Sequence, residues 1–412
     1  MRAPNYSRVD DELLSAAAID NPHPLYRRLR ETAPLSRIGK SGVHIVANWA
    51  LVEEALAREE DFSANLTGVL CRGEDGRPTC SDLPTTGSGA ANVIATADEP
   101  RHAVHRALIQ PRFTGKVAQM EARIRNWTRQ SLMALLSSGG GDVVPATERV
   151  PALVVAYLLG LPEADVDSFR IWAMMGGDIL AGQIGEDTLV KRSREAGRMA
   201  HYLSEHFDRA AADLDPAPDA PLMHALANGV SEQIISRDEA LGIAAVLFGA
   251  GGESTAALIG SCLKWLAEDQ ALAEQIRRDL SLAPRFVEEV VRLETPFKFH
   301  YRVVRRDCRL GGFDLFVGDR LMLTWAAANR DPAMFEAADE MRLDRKHPKR
   351  HMSYGRGAHF CIGAVLARLE ARIVVEELLQ ATETISLSHT APAVYANSIF
   401  TRRLESLHLM TV

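Results

Sequence analysis

Five cysteines are spread along 412 residues, and Cys361 stands within the run YGRGAHFCIG (354–363), among glycines and two residues after His359. A thiol just ahead of a helix feels the positive end of the helix dipole, which favours the thiolate, the form that binds metal. The sequence that follows, AVLARLEARIVVEELL, has strong helical spacing. Glycines at 355, 357 and 363 let the backbone turn with positive φ or approach a flat group closely. Arg356 and His359 offer positive or donor groups to an anion beside the loop. The plain alternative is a structural cysteine in a glycine turn.

Three further groupings have spacing suited to chemistry. His102 and Arg106, four apart in DEPRHAVHRALIQ, share one side of a helix and could grip carboxylates. Glu289 and Arg292, three apart in FVEEVVRLETP, can pair on a helix face. The apolar stretch 240–267 carries Glu253, Ser254 and Thr255 just after the run Gly-Ala-Gly-Gly (249–252). Its apolar character all round marks an interior helix, and an acid at its centre counts against a membrane span. The glycines weaken the helix there, so a kink or opened turn is expected. The same residues imitate a G-x-S-x-G nucleophile elbow ending in Ala256. A serine hydrolase needs alternating strands and helices and an oxyanion loop upstream, and neither is found.

The elements that must position these groups are mainly helical. Between residues 100 and 294 the apolar positions recur at helical spacing, broken by turn signals such as SSGGGD and DPAPDAP. Short alternating segments (PLSRI, GVHIVA, FHYRVV, ISLSH, LESLHLM) predict small β-sheets without strand-helix alternation. No repeat or linker divides the chain, which predicts one domain over residues 1–412. Residues 63–97, rich in Gly, Thr, Ser and Pro, are expected to form a long irregular loop of the lid or binding kind.

A net charge of −7 gives no basic excess for nucleic acid, and the N-terminal thirty residues hold no apolar run of signal or anchor length. A cytoplasmic protein without a membrane anchor is expected. Five widely spaced cysteines suit neither a disulfide framework nor a four-ligand zinc site.

The YGRGAHFCIG run resembles the haem-ligand loop of the cytochrome P450 family, Phe-Gly-x-Gly-x-His/Arg-x-Cys-x-Gly, with Tyr354 in place of Phe. Glu289 and Arg292 resemble that family's Glu-x-x-Arg helix, with Arg345 at the matching position of the loop before the cysteine. The segment around His102 and Arg106 is similar to the family's propionate-binding element, and Arg302 and His359 match further propionate-binding positions. Ala250, Gly251 and Glu253 are in register with the distal oxygen-binding helix, where the usual threonine is Ser254, followed by Thr255.

The resemblance implies the P450 fold, a helical prism with small sheets, holding haem b (iron protoporphyrin IX) with Cys361 as axial ligand. It implies a monooxygenase that takes O2 as co-substrate and receives NAD(P)H electrons through ferredoxin and ferredoxin reductase, or flavodoxin. Glu253 with Ser254 or Thr255 is then expected to deliver protons. Arg112, Lys116, Arg123, Arg125, Lys346, Lys349, Arg350 and Arg356 are candidates for a carrier-docking face. By position, Val93, Ile94, Met174, Leu247, Phe248, Phe299, His300, Ile399 and Phe400 are expected to wall the substrate pocket. The expected substrate is a small or medium-sized, largely apolar organic molecule of secondary metabolism. Radical coupling of aromatic rings is the alternative to hydroxylation.

Overall fold

In the computed structural model, residues 9, 12–83, 92–182, 186–215, 217 and 219–412 are described, with only the backbone of 186–190. Six helices build the site. They are α1 (Arg101–Val117), α2 (Val144–Leu159), α3 (Val166–Ala173), α4 (Arg237–Glu268), α5 (Ala283–Glu294) and α6 (Ala364–Ala381).

The longest, α4, runs through the middle of the molecule and packs against α2, α3, α5 and α6. It begins at a capping box: Ser236 Oγ accepts the Glu239 N–H, and the Glu239 carboxylate accepts the Ser236 N–H. Ile243, Phe248, Leu258, Ile259, Leu263 and Leu266 are buried on several of its sides, as the all-round apolar sequence requires. Among the described residues it is the one helix long and apolar enough to cross a membrane, and most of that apolar window is packed inside the fold.

The expected break at the glycine run does not occur, since α4 is helical without interruption from 237 to 268. The glycines serve close approach instead. A Cβ on Gly252 would lie 2.3 Å from the Ala173 Cβ, and one on Gly176 would lie 3.0 Å from the Gly249 Cα. Backbone therefore meets backbone where α3 ends against α4, and side chains there are excluded by volume.

The β structure is small, as predicted. The largest sheet joins β1 (Leu35–Ile38), β2 (Val43–Val46), β3 (Phe62–Ser63), β6 (His300–Val304) and β7 (Arg320–Leu323) in the order β1-β2-β7-β6-β3. Its β2–β7 pair is parallel and the others antiparallel, with Leu321 opposite Arg302. The region expected to be irregular contains a hairpin of β4 (Gly68–Arg72) and β5 (Pro78–Asp82). Its tip is closed by Gly73 N–H to Arg77 O at 2.8 Å, with Gly76 at φ +78°. Five-residue strands holding Cys, Thr and Ser give too little alternation to stand out in sequence. Residues 84–91 of that region lie outside the described residues.

Candidate functional site

The loop before α6 is shaped by its glycines. Gly355 (φ +67°) and Gly357 (φ +68°) both take left-handed backbone that other residues avoid. The Cys361 N–H donates to Tyr354 O at 2.8 Å, closing the loop so that the sulfur precedes Gly363, the N-cap of α6. Cys361 borders a cavity that reaches from α6 across to α4. Burial raises the thiol pKa, while the Gly363 and Ala364 N–H groups and the guanidiniums of Arg106 and Arg368 draw it back. A coordinated metal cation is the partner that would hold such a thiol as thiolate. Tyr354, the departure from the usual Phe, keeps its ring under the Arg368 guanidinium at 4.3 Å, and its buried hydroxyl meets no hydrogen-bond partner among the described residues.

One edge of the cavity collects histidines and arginines. His102 Nδ1 lies 2.8 Å from Glu99 Oε1, and its ring lies tilted at 4.2 Å against His359, whose buried Nδ1 has no hydrogen-bond partner among the described residues. Burial, with Arg302 and His102 nearby, lowers the His359 pKa to about 4. Arg302 is buried on β6, donates to Tyr301 O at 2.8 Å and forms no ion pair among the described residues. Burial brings its pKa down to about 10. Arg106 Nη1 reaches the Phe360 carbonyl at 2.7 Å. Buried cations without anions are costly unless a ligand supplies the charge. A flat group carrying two carboxylates and a metal fits this donor set: thiol beneath, histidines and arginines at the rim.

Across the cavity, Leu247, Ala250, Ser254 and Thr255 of α4 form the facing wall. Ser254 Oγ donates to the Ala250 carbonyl at 2.5 Å, one helical turn back. A serine held within an unbroken helix is not a nucleophile elbow, so the hydrolase pattern is coincidental.

Glu253 does not join that wall. It is fully buried on another face of α4, with its Oε1 3.5 Å from Arg403 Nε, an ion pair without hydrogen-bond geometry. Its Oε2 lies where a Gly177 side chain would stand, 2.5 Å from an ideal Cβ. Burial raises its pKa to about 7 against the opposing pull of Arg403, and Asp178 adds to the rise.

Of the expected pocket residues, Ile94, Leu247 and His300 border the cavity. Six do not. Val93 turns to Gly242 of α4. Phe248, about 100° round the helix from Leu247, packs on Phe169 at 5.4 Å. Met174, at the C-terminal end of α3, is buried in the main core. Phe299 points to the opposite side from His300 and packs on Tyr301 and Phe400 at 5.2 and 5.4 Å. Phe400 stacks behind Phe297 at 4.5 Å, and Ile399 packs on Gly182. Ala95, Val246, Pro296 and Phe297 take their places along the cavity.

His300 is fixed by Trp325, whose Nε1–H donates to His300 Nδ1 at 2.7 Å. Burial, with Arg302 close, lowers its pKa to about 3, so the ring is neutral and carries its proton on Nε2.

Behind the loop, Arg292 is fully buried and forms a double hydrogen bond with Glu289, both contacts 2.9 Å. Arg345 Nε joins the same carboxylate at 2.7 Å. Burial pushes the Glu289 pKa up, but the two guanidiniums outweigh it and hold the group below the ordinary value. Arg292 also binds the Asn329 and Ala338 carbonyls, and Asn329 Oδ1 accepts the Met352 N–H at 2.7 Å, two residues before Tyr354.

Sequence reasoning missed a second network alongside it. Glu288 binds His351 Nε2 at 2.7 Å and Arg368 at 2.6 and 2.8 Å, clamping the loop to α6. The doubled glutamate in FVEEVVR was its only signal.

Of the candidate docking cations, Arg125 is occupied by Glu121, Glu376 and Glu377, Arg356 by Glu53, and Arg123 by Glu163. Lys346, Lys349 and Arg350 stay exposed.

Comparison with known proteins was made against this geometry. Residues 187–399 match the family model described as cytochrome P450. The chain is 39% identical to cytochrome P450 144 of Mycobacterium tuberculosis over 96% of its own length and 90% of that protein. It is 28% identical to the cyclomarin C epoxidase CymV of Salinispora arenicola, covering 90% and 88% of the two chains. The crystal structure of CYP109E1 from Bacillus megaterium in complex with testosterone superposes with a TM-score of 0.83 at 27% identity, covering 96% and 99%. The fold expected from sequence is thereby established, and the group implied by a thiol facing a rim of histidines and arginines is haem iron. On the strength of a near full-length relative and a matching family model, the chain belongs to the cytochrome P450 family of haem-dependent monooxygenases.

Proposed function

We propose that the protein inserts one oxygen atom from O2 into a small or medium-sized, largely apolar organic substrate of bacterial secondary metabolism. Electrons come from NAD(P)H through ferredoxin and ferredoxin reductase, or flavodoxin, in the cytoplasm. The observation that carries this reading is a cavity bounded by Cys361 on one side and by Ser254 and Thr255 on the other. The relatives named a cyclomarin C epoxidase and a testosterone complex support an apolar organic substrate.

Haem, when bound, supplies the activation of dioxygen and the transfer of its oxygen. Cys361 Sγ ligates the iron, and His102, Arg106, Arg302 and His359 hold the carboxylates at the rim. Ile94, Leu247 and Phe297 exclude water from the substrate. The Ser254 and Thr255 hydroxyls pass protons into the cavity, and Glu253 stores a proton one helix face away. The Ser254 hydroxyl is already committed to the Ala250 carbonyl, which leaves Thr255 free to take the larger part. That commitment also favours a second reading, oxidative joining of aromatic rings, which needs less strict proton delivery; analysis for dimeric against oxygenated product separates the two.

His300 is the neutral donor among these apolar walls, and its Nε2–H recognises an acceptor oxygen of the substrate. In a substrate-library titration followed by the haem spin-state change, His300→Ala weakens binding about tenfold, the scale of one lost hydrogen bond, and leaves the substrate-free spectrum unaltered. Unchanged affinity across the hits removes His300 from substrate recognition.

A further inference from the structure

His105 lies on α1 between His102 and Arg106 and is fully buried, yet the site described above makes no use of it. Its ring is held from two sides. The Ile94 N–H donates to Nδ1 at 3.2 Å, and Nε2 stands 3.2 Å from Glu239 Oε1. A backbone N–H can only donate and a carboxylate can only accept, so the partners fix the tautomer: Nδ1 bare, Nε2 protonated. Glu239 is itself held as an anion, because Arg101 donates to Oε1 at 2.9 and 2.5 Å and the Ser236 N–H donates to Oε2 at 2.7 Å.

Both ends of this clasp matter to the cavity. Glu239 closes the capping box that starts α4, the helix carrying Ser254 and Thr255. Ile94 has φ +40°, a backbone region that β-branched residues avoid, so the surroundings must hold it there. Ile94 and the adjacent Ala95 border the cavity, while Val93 packs on Gly242 of α4. One imidazole therefore links a strained piece of the cavity wall to the first turn of the distal helix.

We infer that His105 is a positioning residue: by holding the Ile94 N–H it sets the distal wall of the substrate chamber, and with it which ligands fit. The inference rests on reading that cavity as the substrate chamber. Asparagine offers an oxygen at the reach of Nδ1 but falls short of Glu239. Glutamine reaches as far as Nε2 and leaves Ile94 unpaired, and leucine does neither.

The test compares the holoenzyme with its His105→Asn, His105→Gln and His105→Leu variants. It follows amide exchange at Ile94 and, separately, the dissociation constant for phenylimidazole read from the haem spectrum. Exchange at Ile94 is expected to rise about tenfold in the Leu and Gln variants and to stay within about threefold of the parent in the Asn variant. Phenylimidazole affinity is expected to fall in the same order with the ligand-free spectrum unchanged. Exchange in the Leu variant equal to the parent overturns the inference, as does better protection by Gln than by Asn. If the Leu variant does not fold, the Asn and Gln pair decides. Loss of the thiolate-haem signature in the parent protein would overturn the chamber reading instead, and the exchange order at Ile94 would still report on His105.

Discussion

Glu253 combines full burial, a pKa near 7 and an arginine at 3.5 Å, close enough to attract but not to bond. Between the ordinary glutamate value of 4.5 and about 7 the unfolded chain releases this proton and the folded chain keeps it. Stability from this group is therefore fully present below pH 4.5 and is lost as pH rises through about 7, worth about 3 kcal/mol over that window. Glu253→Gln removes this slope, so thermal unfolding of the variant should gain on the parent from pH 5 to about pH 7 and level off above it, and parallel curves would show that the carboxyl ionises normally. In the loaded enzyme the same variant should consume reductant with less product, because the stored proton is gone. The sequence marked Glu253 as an acid at the centre of an interior helix. It could not name Arg403, which comes from the C-terminal segment far along the chain, because helical spacing gives a face and not the neighbour that meets it.

At the scale of elements, the loop that carries Cys361 is only as fixed as the helices beneath it. α5 provides two adjacent glutamates, Glu288 to α6 through Arg368 and Glu289 to the preceding segment through Arg345, with Arg292 buried between. Glu289→Gln leaves the Arg292 charge buried without its counter-ion, at a cost of about 3–5 kcal/mol. The expected result is a lower unfolding temperature together with a reduced haem-to-protein ratio, read by calorimetry and by the Soret absorbance. A variant that unfolds at the parent temperature and binds haem fully would mean that other contacts carry the loop. The Glu289 and Arg292 pairing was legible from a three-residue spacing. The Glu288 clamp was not, because its partners His351 and Arg368 lie on two other segments. The glycines of α4 were misread for a similar reason: a local view sees a weak helix, whereas the volume they vacate is filled by α3.

Across the whole molecule, the main core packs around α4, and two smaller cores lie against the five-stranded sheet. The cavity opens where these meet, with α1, β6 and the loop before α6 supplying the rim of histidines and arginines, and that same loop the thiol of Cys361. Helix content, the small sheets and the residues around Cys361 were all readable, because periodicity and a ten-residue motif survive in one dimension. The substrate wall was readable only in part. Ile94, Leu247 and His300 reach the cavity, while Phe248 and Phe299 fall one position away from it and turn into packed cores. Position along the chain suggested them, but their rings serve core packing as readily as a pocket wall.

The central claim is that Cys361 is the thiolate ligand of a haem in this cavity. The carbon monoxide difference spectrum of the reduced protein tests it most directly, with the Cys361→His variant alongside. The account predicts the red-shifted Soret band of thiolate ligation in the parent and its replacement by a histidine-type band in the variant. Absence of bound haem in the parent, or a thiolate band that persists without Cys361, would contradict it.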